Sequence, residues 1–144
     1  MTIKKRGQMQ LSFGMIFSII LIIIFVVFAV YAIIKFLDLQ KNIQIKKFAG
    51  DLQADVNKMW GSVDSQAEEK YILPGKINAV CFEDRGFENL IFHASSPIEG
   101  VMIEHLDIEK ITENETPFCI DNLDGKVSMI ISKKEGESLV TITK

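Results

Sequence analysis

Residues 11–34 contain no charged side chain and no proline, and residues 36–60 again contain no proline. The first absence excludes an ordinary water-facing surface for the segment LSFGMIFSIILIIIFVVFAVYAII. The second removes the commonest reason for a helix to break. Histidine and cysteine are sparse, with two of each. The cysteines form no CxxC pair, which argues against a redox centre. There is no glycine-rich phosphate loop, and no Ser/His/Asp spacing stands out. No enzyme activity, cofactor or small-molecule substrate is therefore expected. No basic block interleaved with aromatics marks a nucleic-acid surface. A net charge of −3 over 144 residues is mild, and the length leaves room for one membrane span and one small domain.

What is present begins with the apolar run itself. At about 1.5 Å per residue it reaches roughly 36 Å, enough to cross a hydrocarbon core of about 30 Å with some tilt. Lipid offers no partners for backbone polar groups, so the segment must be a helix. The rest of the chain is too small to cover such a run on all sides as a buried core helix. A cleaved secretory signal has an apolar region of only about 7–15 residues and ends in a small-residue site. This run continues into Lys35, Phe36 and Leu37 instead. Residues 11–34 are therefore read as a transmembrane helix behind a basic leader at 1–10.

Orientation is less direct. Lys4, Lys5 and Arg6 precede the span, and Lys35, Lys41, Lys46 and Lys47 follow it. Counting positive charges gives nearly a tie. Asn114-Glu115-Thr116 is an N-x-[ST] sequon, usable only outside the cytoplasm. Cys81 and Cys119, the only cysteines, both fall in the second half of the chain. An even count in a small domain suggests a disulfide in an oxidising space, with buried free thiols as the alternative. Both hints place the N-terminus in the cytoplasm and the later domain outside the cell membrane.

Before the span stands Lys4-Lys5-Arg6-Gly7-Gln8. A short basic stretch, a small residue, a Gln and an apolar helix resemble the class III signal peptides of archaeal type IV pilin-like proteins. The resemblance covers residues 4–34. It implies cleavage between Gly7 and Gln8 by a prepilin peptidase, with the helix retained. Many pilins carry a Glu at the fifth mature position, which helps assembly, whereas this chain has Ser12. More loosely, the run from Gln10 through the Lys-Phe-Leu-Asp-Leu-Gln stretch and a β-rich domain with paired cysteines resembles small single-pass membrane proteins of archaea. An uncleaved anchor with a chance Gly-Gln pair is the plainer alternative.

The helix is expected to continue as an amphipathic stalk over residues 35–62. Phe36, Leu39, Ile43, Ile45, Phe48, Leu52, Val56, Met59 and Trp60 follow spacings dominated by three and four. Helix from residue 8 to 60 would be about 80 Å long. The stripe must meet either the chain's own β domain, which is favoured, or a second copy. A heptad through Ile45, Phe48 and Leu52 meets Asp55, which weakens the coiled-coil reading. Trp60 is read as a large residue locking the end of the stalk against the domain. Gly61-Ser62 ends the helix, and residues 63–70 are read as a polar linker.

From Tyr71 the period changes to that of strands. Residues 71–73, 77–82, 90–93, 101–106, 118–120, 127–132 and 139–142 are short and rich in β-branched and aromatic types. Gly, Pro, Asn or Asp bounds them. Asp124-Gly125 and Glu135-Gly136 are hairpin signals, so residues 120–142 predict a three-stranded meander. The fold class is α+β: a long helix and then a small antiparallel β domain at 71–144, either a sandwich or a curled sheet. A Cys81–Cys119 bond would staple its thin core.

Two clusters invite a metal reading. Around Asp121-Asn122-Leu123-Asp124-Gly125, a calcium loop with Gly125 at its sixth position would need an acid where Ile131 stands. A turn is the better reading. Glu99, Glu104, Asp107, Glu109, His93 and His105 have no recognisable ligand spacing and read as a solvated face. No metal is expected. The expected partners are the lipid bilayer and other membrane helices or copies of the chain. The leading function is a surface-exposed structural or interaction protein, pilin-like in its N-terminus. An uncleaved accessory subunit of a membrane or cell-envelope complex, or a ligand-binding sensor module, is the alternative.

Overall fold

The computed structural model describes residues 13–144. The leader at 1–10, the Gly7-Gln8 bond and Ser12 lie outside the described residues. The chain divides into two units, Met1–Gln40 and Lys41–Lys144. Helix α1, Phe13–Trp60, contributes to both.

In the first unit the large apolar side chains of α1 from Phe13 to Leu39 are all exposed. The helix is long and apolar enough to span a membrane, and lipid is the solvent in which such a surface is stable.

In the second unit the remainder of α1 buries Ile45, Phe48, Ala49, Leu52, Val56 and Met59. Those positions recur every three or four residues and so share one helix face. The stalk's stripe is therefore split. Its later part is covered by the chain's own β domain, whereas Phe36, Leu39 and Ile43 stay exposed. The helix ends where Gly61 and Ser62 turn back, with the Ser62 hydroxyl donating to the Met59 carbonyl at 2.5 Å.

Six strands follow: β1 Ser65–Ile72, β2 Ile77–Phe82, β3 Leu90–Ala94, β4 Phe118–Asp121, β5 Lys126–Lys133 and β6 Thr141–Thr143. A short helix, α2 Ile108–Ile111, lies between β3 and β4. The strands form two three-stranded antiparallel sheets, ordered β1-β5-β6 and β3-β2-β4. Both sheets and α1 feed one core that includes Phe48, Leu52, Val56, Phe82, Leu90, Val127, Ile131 and Ile142. The α+β expectation holds.

Four expectations need correction. The linker read at 63–70 is mostly β1. Its Gln, Glu and Lys residues look like a linker, but β1 is an edge strand with one face in water, where alternating polar side chains are tolerated. Residues 101–106 make no strand. Val101 bridges Leu90, Leu106 bridges Val140, and between them His105 takes a positive φ of 66° that interrupts any ladder. The meander is absent as well. The Asp124-Gly125 turn exists, with φ of 53° and 80°, but β4 leaves β5 after the Leu123–Lys126 bridge and pairs with β2. Asn122 fixes that choice, since its Nδ2 donates to the Pro74 and Ile77 carbonyls at 3.1 and 2.7 Å. Finally, α2 adds a helix to the expected elements. It is one turn, capped by the Asp107 carboxylate, which accepts from the Lys110 backbone N–H at 3.1 Å.

One buried polar residue organises the irregular segment. Asn89 is almost fully buried. Its Nδ2 donates to the Ile103 carbonyl and its Oδ1 accepts from the Ile103 N–H, both at 2.8 Å. The side chain thus acts as a piece of backbone, holding residues 101–103 beside β3 without a strand.

Candidate functional site

The membrane-compatible part of α1 carries few polar side chains, and they are accommodated locally. The Ser18 hydroxyl donates to the Gly14 carbonyl one turn back at 2.8 Å, which removes its cost in lipid. Near the end of the run, the Lys35 ammonium lies 5.8 Å from the Tyr31 ring centroid. Tyr and Lys are the residue types that sit at a headgroup boundary, each with an apolar body and a polar tip.

The cysteines meet. Cys81 of β2 and Cys119 of β4 stand directly opposite in the ladder and form a disulfide with Sγ atoms 2.11 Å apart. With Ala79 and Ile91 they make a second, smaller apolar cluster. The bond joins cysteines 38 positions apart in sequence, so it closes a long loop of the unfolded chain.

The acids and histidines do not converge. Among the described residues, no group of three His, Cys, Asp or Glu side chains is placed to hold a metal ion. His93 is exposed on β3, Asp107 caps α2, and Asp121 to Gly125 make a hairpin turn with its adjoining strand end. His105 has a structural partner instead. Its ring stacks on Trp60, with centroids 3.9 Å apart and planes within 12°, and its Nδ1 lies 3.1 Å from Asn57 Oδ1.

That stack belongs to a polar clasp that the sequence reading missed, apart from Trp60 itself. Gln53, Asn57 and Trp60 lie at i, i+4 and i+7 on α1 and so share a face. Gln53 Oε1 accepts from the Glu104 N–H at 2.8 Å, and Gln53 Nε2 donates to Asn57 Oδ1 at 2.9 Å. Trp60 Nε1–H donates to the Ser138 carbonyl at 3.1 Å, and the Lys133 ammonium donates to the Trp60 carbonyl at 2.6 Å. The signal was available as helical spacing of amide side chains beside an apolar stripe. Amides on a helix surface read as solvated by default, so the spacing alone does not mark a contact.

The domain surface holds open clefts of about 260, 310 and 390 Å³. The smallest is lined by Ser132, Thr141 and the Lys110–Glu137 ion pair, among others. The hydrogen bond from Lys110 holds the Glu137 carboxyl below its ordinary range, helped by the Lys134 N–H. Asn114 is exposed in the loop between α2 and β4, where its amide is accessible to a modifying enzyme. The Gly7-Gln8 bond, expected from the resemblance to be a processing site, lies outside the described residues. No family model, no curated protein and no solved structure matches the chain.

Proposed function

We propose that the chain is a membrane-anchored, surface-exposed structural or interaction protein, a pilin-like subunit of an archaeal cell membrane. Its N-terminus is cytoplasmic and its β domain lies outside. The reading rests on one combination: a helix whose apolar residues are exposed along its first unit, and a stapled domain closed by Cys81–Cys119. A bilayer suits the first, and an oxidising extracytoplasmic space suits the second. The domain acts through protein contacts, while the anchor packs on other membrane helices or on copies of itself.

A second reading has its own observation. Ser12 stands where many pilins carry an assembly-promoting acid, which counts against fibre assembly more than against cleavage and so supports an accessory subunit of a membrane or cell-envelope complex, read as keeping its leader. Intact-mass spectrometry of membrane-extracted protein separates the two. Loss of residues 1–7 supports the pilin-like reading, and a retained leader supports the accessory subunit. A gain of two hydrogens on reduction confirms the disulfide in the native protein.

A further inference from the structure

We infer that the end of the β domain at which α1 joins it is a docking face for anionic lipid headgroups of the bilayer that holds the chain's own helix. This rests on the anchor reading above.

Strand register identifies the end. Ile72 pairs with Lys126 across β1 and β5, and Lys126 pairs with Leu123 in the bridge after β4. Directly opposite residues in antiparallel ladders project from the same face. Ile72, Lys126 and Leu123 therefore form one row. It is a wet row with two large apolar members: Ile72 is 75% exposed and Leu123 72%. The cleft beside it is lined by Ile72 and Lys70 from β1 and by Lys47 and Asp51 from α1, among others. Lys46 is exposed one position before Lys47. This is the pattern of an interfacial surface: aliphatic side chains to enter the headgroup layer, and lysines to meet phosphates.

Charge separates this end from the other. The acids at this end include Asp51, which lines the same cleft, Glu99, which lines a cleft with Lys46, and Asp121 and Asp124; Lys46, Lys47, Lys70, Lys76 and Lys126 outnumber these four by one, and Lys70 also lies 3.6 Å from Glu68. The opposite end is made of the β2–β3 and β5–β6 hairpins and the loop before β4. Its loops carry Glu83, Asp84, Glu88, Glu113, Glu115, Glu135 and Glu137 against Arg85 and Lys134. An anionic surface therefore favours the first end over the second.

Covalent reach selects the occupant. The residues between Ile34 and Lys41 extend no further than about 25 Å even when fully stretched, whatever the arrangement of the two units. The docking face is thus held at high effective concentration beside lipid. A soluble partner has no such advantage.

The test uses the full chain reconstituted in vesicles, with headgroup-nitroxide lipid as quencher of tryptophan fluorescence. Trp60, at the far end of α1, stays in place as internal reference. Leu123→Trp adds a reporter to the row, and Phe87→Trp adds one to the opposite hairpin, where Phe87 is 97% exposed. In phosphatidylglycerol vesicles the added Leu123→Trp signal should be quenched several-fold more than that of Phe87→Trp. The difference should vanish in pure phosphatidylcholine and at about 1 M salt, where the screening length falls to about 3 Å. Adding Lys47→Glu and Lys126→Glu should abolish it too. Equal quenching of the two reporters overturns the inference. So does a Leu123→Trp signal that is unquenched but shifts to the blue with protein concentration, which would assign the row to a second copy. A chain that fails to float with the vesicles overturns the anchor reading, and the inference with it.

Discussion

The Tyr71 hydroxyl donates a 2.7 Å hydrogen bond to Asp55 Oδ2, joining the buried end of β1 to the C-terminal part of α1. Asp55 is the residue that spoils a heptad along the stalk, and this bond is its role. An acid at that position rejects a second helix and accepts a phenol from the chain's own domain. The Tyr71 ring also meets the edge of Phe48, with centroids 5.2 Å apart.

Tyr71→Phe keeps the ring and removes the hydrogen bond. A bond to a charged acceptor is worth about 1.5–3 kcal/mol, so the variant should lose stability in that range by urea titration in detergent. The same pair gives a pH dependence. Burial, then the bond to Asp55 and its negative charge, raise the Tyr71 pKa well above its ordinary value of 10.0. A folded-state pKa above the unfolded one favours the protonated form. The stability it contributes is complete below about pH 10 and falls as pH rises beyond it. Melting temperature should therefore drop more steeply above pH 10 in the parent than in Tyr71→Phe. Parallel curves would remove the pair from the account.

Reduction of Cys81–Cys119 frees a loop spanning 38 positions. The chain-entropy estimate for such a loop is about 4 kcal/mol, and typical values are about 2–4. Cys81→Ala with Cys119→Ala should lower stability by that order in denaturant titration. An unchanged midpoint would mean that the paired strands β2 and β4 hold without it.

The split of the stalk's apolar stripe predicts unequal substitutions. Leu52 is fully buried and Ile43 is 56% exposed. Leu52→Ala should cost about 2–5 kcal/mol, and Ile43→Ala should stay within about 0.5 kcal/mol. Comparable losses at both sites would show that the exposed part of the stripe is covered by another chain.

Asn89→Ala strips two hydrogen bonds from the Ile103 backbone and leaves buried polar groups unpaired. A loss of about 1–3 kcal/mol is expected. Hydrogen exchange at the Ile103 amide, which Asn89 Oδ1 accepts at 2.8 Å, should accelerate more than that at β2 amides. Uniform acceleration would make Asn89 a generic core residue rather than the clamp on residues 101–103.

Much of the fold was legible because it rests on periodicity. The apolar run, the three-and-four spacing from Ile45 to Met59, and the β-branched segments at β2, β3 and β5 announce themselves locally. An even count of two thiols favours a Cys81–Cys119 bond over buried free thiols without deciding it, and the β2–β4 ladder brings the two together. What failed depended on partners remote in sequence. β1 reads as a linker until β5 is seen beside it. β4 leaves the expected meander because Asn122 bonds to the segment before and at the start of β2. Residues 101–106 lose their strand to an Asn89 side chain and a positive φ at His105. The clasp of Gln53, Asn57, Trp60 and His105 needed a contact between residues 45 positions apart, which composition does not carry.

The most direct measurement is protease accessibility of the full chain, tagged after Lys144, in intact cells. Residues 41–144 should be digested from outside while a membrane-embedded fragment containing residues 13–34 remains with the pellet. Protection of the tag until the membrane is permeabilised would place the domain in the cytoplasm and contradict a surface role.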